Sequence, residues 1–219
     1  MIDTTDPDNW EFPVGTVLYK TFLQGKLRLE TRVLRKREAG TGFGVWDMRA
    51  YAWNHEQTKV TDVTTDDDCP NCAELRQNVL GTTHDIPDGT QCRECHRASV
   101  DTVNGFSAIQ LNHSEALVTT SLLISEKRVS KAGTMVDDAK MPGDEMESAA
   151  LGYLHANCGH CHRSHSLADE TCNTPACLTG LHTFVWGGTT RVEDTPFYKT
   201  AIGRHSLFRE FGASACAIG

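Results

Sequence analysis

Apolar and polar residues alternate in three short runs in the first third of the chain. The runs read GTVLYKTF, LRLETRVLRK and MRAYAWN, and QGK and EAGTGFG separate them as turns. A period of two between glycine-containing turns is typical of half-buried β-strands. We therefore predict an antiparallel β-rich region whose core includes Trp46, Tyr51 and Trp53.

A helical period replaces this alternation in the second half. Asp144, followed three residues later by Glu147, fits a capping box. Four apolar residues then recur on one predicted helical face: Met146, Ala150, Leu151 and Leu154. The predicted helix ends at Cys158, TPFYKTAIG is a further helix candidate, and EALVTTSLLI fits either a helix or a buried segment. Together the patterns predict an α+β fold with strands in the first part of the chain and helices in the second, and we divide the chain into a β-rich region at 1–85 and two further segments at 86–146 and 147–219.

Length and charge narrow the class of protein. The chain has 219 residues, 39% of them hydrophobic, and a formal net charge of −8. Such an acidic balance argues against a nucleic-acid partner, although it could steer a basic partner protein. No run of apolar residues is long enough to predict a membrane span, and the first residues lack a secretion signal.

The nine cysteines change the picture most. Eight of them pair along the chain, and one stands alone: Cys69/Cys72, Cys92/Cys95, Cys158/Cys161, Cys172/Cys177 and Cys216. Two pairs are followed at once by histidine, at His96 and His162, so Cys-x-x-Cys-His occurs twice. Cysteine pairs at this density indicate disulfides, zinc or covalent cofactors.

Three chemistries compete for these pairs. In haem attachment, two thiols add to the vinyl groups of one porphyrin and the adjoining histidine ligates iron, which accounts for both motifs. A zinc ribbon of Cys69, Cys72, Cys92 and Cys95 has acceptable spacing but leaves His96 and the second motif unexplained. A thioredoxin-like dithiol would open a helix within a βαβ unit, whereas the best-defined predicted helix ends at its pair. The spacing favours haem.

A c-type haem also needs a sixth ligand or an open face. Met141, in the loop AKMPGDE, is our candidate for the first iron, since methionine suits electron transfer. His84 and His113 are alternatives with an ordinary surface interpretation of greater weight. For the second iron the chain after His162 holds no methionine, and the histidines that remain are His165, His182 and His205.

Several longer segments carry a resemblance to a known family. They read IDTTDPDNWEFPVGTVLYKTF, LRLETRVLRK, AYAWNHEQTKV, VLGTTHDIPDGTQCRECH, VNGFSAIQLNH and ALGYLHANCGHCH, and they cover most of residues 2–165 in order. The chain resembles bacterial secreted c-type cytochromes with two haem motifs. The resemblance implies a β-rich N-terminal region followed by small, helical, cytochrome c-like haem-binding segments, with the second one incomplete at its C-terminus.

The resemblance also implies roles for residues. Cys92 and Cys95, and likewise Cys158 and Cys161, would be thioether donors to two covalently attached haems c, with His96 and His162 as axial iron ligands. A Met-Pro before the second haem helix recurs in the family, which favours Met141. The family continues beyond both ends of this chain, and its members carry a signal peptide, so we expect a periplasmic or otherwise exported protein that is truncated here. Cys69-x-x-Cys72 departs from the family as an insertion.

We therefore predict a dihaem c-type cytochrome that transfers single electrons to and from redox partner proteins. No catalytic residue is assigned, and an electron-transfer protein is favoured over an enzyme. The alternatives are a haem peroxidase-like enzyme with an open second haem and the zinc-ribbon module. Arg93, Arg97 and Arg163 flank the motifs, where each either pairs with haem propionates or is solvated. His160 and His165 are expected to be solvated, and Cys172 and Cys177 are candidates for a local disulfide.

Overall fold

A computed structural model describes residues 1–67, 69–97, 99–112, 117–130, 139–163 and 180–203. Its secondary structure is α+β. Four strands form one antiparallel sheet in the order β1-β2-β3-β4: β1 Val17–Gln24, β2 Leu27–Lys36, β3 Trp46–Trp53 and β4 Val60–Asp62. The described α-helices are α1 Cys72–Leu75, α2 Gly89–His96, α3 Ala108–Leu111, α4 Thr120–Ser125, α5 Glu145–Asn157 and α6 Pro196–Ala201. The predicted antiparallel β-rich region is confirmed.

The chain divides into two compact units, one formed by Glu11–Thr102 and the other by Met1–Trp10 with Val103–Gly219. The sheet and the first Cys-x-x-Cys-His motif lie in the first unit, and the second motif lies in the other. The sequence boundaries near residues 85 and 146, which separate haem-binding segments, stay predictions.

The core of the sheet unit lies between one face of the sheet and the segment that follows β4. Its buried members are Leu29, Ala50, Ala52, Val63, Cys72, Val79 and Ile86. Alternation along β3 brings Ala50 and Ala52 to this face. The β1–β2 register shifts between Phe22 and Leu23, so β2 has an extra residue at Leu29. Because such a bulge re-aims side chains, Leu29 and Glu30 are both buried although they are consecutive.

The same unit buries an ion pair. Lys36 Nζ lies 2.6 Å from the Asp101 carboxylate, and the two side chains are 3% and 1% exposed. Asp101 also accepts hydrogen bonds from the indole of Trp46 at 2.9 Å and from the backbone N–H of Phe12 at 2.7 Å. These contacts tie the chain after the first motif to β2 and β3, across more than fifty residues of sequence.

The three aromatic residues predicted for the sheet core have different environments. Trp46 is buried, as predicted. Tyr51 and Trp53 are half-buried and line a surface groove on the other face of the sheet, so for them the core prediction is wrong. Residues 51 and 53 share that face with Thr31, because Trp53 donates to Thr31 Oγ1 at 3.0 Å. Alternation alone does not reveal which face of a sheet receives the covering segment.

The main helix of the other unit is α5. Asp144 accepts from the N–H of Glu147, and Glu147 accepts from the N–H of Asp144, so the predicted capping box is confirmed. The predicted apolar face is only partly right: Leu151 is buried, but Met146 is 81% exposed and Ala150 is exposed as well. His155, one turn after Leu151, is the other buried residue of the helix.

Both remaining helix candidates form helices over part of their length. TPFYKTAIG contains α6, which Thr195 caps through its hydroxyl and which begins with Pro196 at the first helical position. The last residues of EALVTTSLLI belong to α4, which ends at Ser125 and begins after Thr119, whose hydroxyl caps it. In the same unit, Ile2 pairs with Val129 in an isolated parallel bridge.

Candidate functional site

The first motif lies on α2, a helix of eight residues that begins with a capping box. Asp88 accepts from the backbone N–H groups of Thr90 and Gln91, and the Gln91 side chain accepts from the N–H of Asp88. The D-x-x-Q spacing before the cysteines is the local sequence signal for the start of this helix. Cys92 is half-buried, Cys95 is exposed, and neither forms a disulfide. Burial raises the pKa of the Cys92 thiol.

The imidazole of His96 has a defined orientation. Its Nδ1 lies 2.7 Å from the carbonyl oxygen of Thr102. A carbonyl oxygen can only accept, so Nδ1 carries the proton, and burial lowers the pKa of His96 and favours the neutral ring. In that tautomer Nε2 presents its lone pair. A backbone carbonyl that holds the far nitrogen is the usual outer-shell partner of a metal-ligating histidine.

The carbonyl that holds His96 belongs to an unusual backbone position. Thr102 is fully buried and has a φ of 66°, in the left-handed region that β-branched residues avoid. Such a conformation costs of the order of 1–3 kcal/mol and persists only where surrounding contacts determine it. Here the neighbouring Asp101 supplies them, through Lys36, Trp46 and the N–H of Phe12. The fold therefore holds the carbonyl group of Thr102, the hydrogen-bond partner of His96, in a fixed position.

A cavity of about 310 Å³ lies beside the first motif. Its lining includes both cysteines and the axial-histidine candidate, together with the sheet residue Arg32 and residues of the loop before α2: Cys92, Cys95, His96, Arg32, Ile86 and Pro87. The two thiols and the imidazole thus border one common space.

The second motif begins at the C-cap of α5. The N–H of Cys158 donates to Leu154 O at 2.9 Å, and the N–H groups of Cys161 and His162 donate to Cys158 O at 3.1 and 2.8 Å. The motif therefore forms a compact turn, and it lies just beyond the end of the helix, where the sequence placed it. Cys158 is half-buried, Cys161 is exposed, and neither forms a disulfide.

His162 repeats the arrangement of His96. Its Nδ1 lies 3.0 Å from the carbonyl oxygen of Leu181, so the same tautomer follows. The surroundings differ, because His162 and Leu181 are both exposed, whereas Thr102 is fully buried. Both motif histidines thus direct Nε2 away from a backbone carbonyl, one in a protected setting and one in an open setting.

An extended segment, residues 181–187, docks along the second motif. The N–H of Thr183 donates to His162 O at 2.7 Å, and the N–H of Val185 donates to Nδ1 of His155 at 2.9 Å. A side chain at position 159 would meet this segment: a Cβ on Gly159 would lie 2.5 Å from His155 O and 3.1 Å from the Cα of Phe184. The glycine inside the motif allows this close approach.

Two polar side chains beneath that segment are buried, and sequence reasoning missed one of them. His155 is fully buried against Phe184, with ring centroids 4.4 Å apart, and burial lowers its pKa to about 3. Arg163 is 3% exposed, stacks on Phe184 and Trp186, and donates to Asn9 Oδ1 at 2.9 Å. The solvated alternative for Arg163 is therefore wrong.

The structure also shows the environments of three other residues in or beside the motifs, which are His160, Arg97 and Arg93. His160 is half-buried against His155 and Phe184, so its predicted solvated state is wrong. Arg97 forms an exposed ion pair with Glu94. Arg93 stacks on Phe43 at 4.7 Å and lines a different cavity, of about 580 Å³, at the start of α2.

Only some of the candidates for a sixth iron ligand lie within the described residues. Met141 is half-buried in the unit that holds the second motif, and its carbonyl accepts from Ser148 Oγ; its ligation of the first iron stays a prediction. Nε2 of His84 lies within hydrogen-bond distance, 2.8 Å, of a carboxylate oxygen of Glu30. His182 follows Leu181, so its backbone lies on the Nδ1 side of His162, which disfavours it as a ligand on the opposite side. His113, Met135, His165, Cys172, Cys177, His205 and Cys216 lie outside the described residues.

The state of Cys69 and Cys72 argues against the zinc-ribbon alternative. Cys69 and Cys72 are joined in a disulfide. A disulfide provides no thiolate for zinc, so two of the four proposed ligands are engaged elsewhere. Within the described ranges, no three histidine, cysteine or acidic side chains are grouped as a metal site would require.

Helices of the described segments are too short or too polar to cross a membrane. Comparison with protein-family models, with curated protein sequences and with solved structures finds no match. The two motifs themselves therefore indicate the class of protein. Each provides two reduced thiols separated by two residues and an imidazole whose Nδ1 faces a backbone carbonyl, which is the donor set that a covalently attached haem requires.

Proposed function

We propose that this protein is a c-type cytochrome that binds two haems covalently and transfers one electron at a time. The observation that carries the proposal is the repeated orientation of the motif histidines. His96 and His162 each donate Nδ1–H to a backbone carbonyl, at 2.7 and 3.0 Å, and each keeps Nε2 for a metal. Neither a redox dithiol nor a zinc ribbon accounts for a histidine that is oriented in this way after both cysteine pairs.

Each motif contributes three groups. Cys92 and Cys95 would be linked to the first haem, and Cys158 and Cys161 to the second, with His96 and His162 as axial ligands. When bound, haem supplies the reversible one-electron chemistry of its iron. The chain supplies attachment, the orientation of the imidazoles and partial exclusion of water.

The two sites differ in protection. Thr102, which orients His96, is fully buried and anchored by Asp101, whereas Leu181, which orients His162, is 42% exposed. Exposure and outer-shell hydrogen bonds are among the determinants of a haem's potential. We therefore expect two distinct potentials, with the second haem the more open site.

The Cys69–Cys72 disulfide supports an exported location, because structural disulfides persist in oxidising compartments. This agrees with the periplasmic or otherwise exported location that the family resemblance implies. The partners would be redox proteins, and the net charge of −8 favours partners with a basic surface.

The test is the mass of protein matured in a periplasm. After denaturation, the polypeptide should carry two haems that acid-acetone does not extract, and Cys92→Ala with Cys95→Ala should remove one of them. Cys158→Ala with Cys161→Ala is the matched variant and should remove the other. A colourless product with stoichiometric zinc would overturn the proposal.

A further inference from the structure

The face of the sheet nearest the first motif carries charged residues in place of a continuous apolar layer. Lys20 and Arg32 are direct neighbours across β1 and β2, and Phe22 and Glu30 form the next pair. The Glu30 side chain is fully buried, and Arg32 is 25% exposed. Burying a carboxylate is costly unless it is bonded, so this arrangement has to be explained by its partners.

Glu30 is satisfied from two directions. Arg32 donates to it through Nε at 2.9 Å and through Nη2 at 2.6 Å, and Nε2 of His84 lies 2.8 Å from the same carboxylate. The guanidinium also lies 4.5 Å from the centre of the Phe22 ring. A side-on pair of this kind fixes the plane of the guanidinium and leaves the Nη1 edge directed away from Glu30.

The fixed guanidinium borders the space beside the first motif. Arg32 lines the cavity of about 310 Å³ together with Cys92, Cys95 and His96. Asp85 also lines that cavity, and the Nη1 edge of Arg32 is the part of the guanidinium that Glu30 leaves for an anionic ligand.

We propose that Arg32, oriented by Glu30, binds a carboxylate group of the haem attached at Cys92 and Cys95, which makes the sheet part of the haem site. The inference rests on the proposed function, since it presupposes haem at the first motif. It assigns a role to the β-rich region: β2 carries the positive counterpart of an anionic cofactor. Arg93, the cation closest in sequence to Cys92, instead stacks on Phe43 in the other cavity.

The experiment compares two variants of one strand in the matured full-length chain. Arg32→Gln removes the proposed anchor. Arg35→Gln is the matched control, because Arg35 is exposed and lines the groove on the opposite face of the sheet. Spectroelectrochemistry measures the potentials of both haems, and resonance Raman spectroscopy measures the propionate bending band.

Arg32→Gln should lower the potential of the first haem, because a nearby cation favours the more negative, reduced state. It should also shift the propionate band, whereas Arg35→Gln should leave both readouts unchanged. If Arg32→Gln fails to accumulate, Arg32→Lys decides: it keeps the charge but loses the fork, so the band should shift relative to Arg35→Lys.

The outcomes separate the two proposals. Two attached haems with potentials and propionate bands that none of these changes affects would overturn the role of Arg32 and leave the cytochrome proposal standing. Wild-type protein without covalent haem would overturn the cytochrome proposal itself. A change confined to the second haem would also contradict the inference, and Cys158→Ala with Cys161→Ala identifies which haem responds.

Discussion

Asp101→Asn tests whether the buried ion pair anchors the segment that orients His96. Lys36 and Asp101 are 3% and 1% exposed and lie 2.6 Å apart. The change leaves the ammonium of Lys36 buried without an anion. Breaking a buried pair from one side costs about 3–5 kcal/mol. Asparagine can still accept from Trp46 through its oxygen, but its amide group faces the N–H of Phe12, which loses its acceptor.

We therefore expect Asp101→Asn to lower the free energy of unfolding by about 4 kcal/mol. With a urea m-value of about 2 kcal/mol/M, the midpoint should fall by about 2 M. The assay is urea unfolding of the matured full-length chain, followed by far-ultraviolet circular dichroism. Such a loss is a large share of the total stability of an ordinary domain.

Asp47→Asn is the matched control. Asp47 pairs with Arg37 and Arg49, whose side chains are 53% and 39% exposed. Exposed pairs contribute little, so we expect a loss of about 0.5 kcal/mol. If Asp101→Asn costs no more than Asp47→Asn, the buried pair is not the anchor, and the fixed geometry of Thr102 needs another explanation.

Three more predictions concern the second motif and Met141. Gly159→Ala should destabilise the fold by about 2 kcal/mol in urea unfolding and reduce haem attachment at Cys158 and Cys161, because the new Cβ would lie 2.5 Å from His155 O. Gly44→Ala, with no atom within 4 Å of its Cβ, is the control and should change neither. His155, with a pKa of about 3, contributes stability that is present above its ordinary pKa of about 6.5 and is lost as the pH falls toward 3. His155→Phe should therefore remove about 2 kcal/mol of the stability difference between pH 6.5 and pH 5, and equal slopes for both proteins would contradict this. Met141→Ala should abolish the weak red-end ferric band of thioether ligation and lower the potential of the first haem; a persisting band would point to Met135 or Met146.

The local signals in the sequence account for much of the secondary structure. Alternation located β1, β2 and β3, and the Asp144–Glu147 capping box located the start of α5. The equivalent box at Asp88 and Gln91 marks the start of α2 in the same way. Such signals work because they depend on residues two to four positions apart, which already meet in a short peptide.

The environment of each side chain was less predictable. Arg163 and His160 were expected to be solvated or undecided, yet the first is buried and the second half-buried, because residues 181–187 pack over them. Met146 has the right helical spacing for a core residue and is 81% exposed. A helical period predicts a face, but only the packed neighbours determine whether that face is covered.

The sequence by itself determined the donor sets of the two candidate centres, since Cys-x-x-Cys-His brings two thiols and an imidazole together through local chain geometry. Tertiary structure alone decided how those groups are held. The carbonyl partners of His96 and His162 come from Thr102 and Leu181, 6 and 19 residues away. The strained conformation of Thr102 depends on contacts that Asp101 makes up to 89 residues away along the chain. Such contacts form only when the whole unit folds, because their entropy cost is met by burial of the surrounding core and not by any local preference.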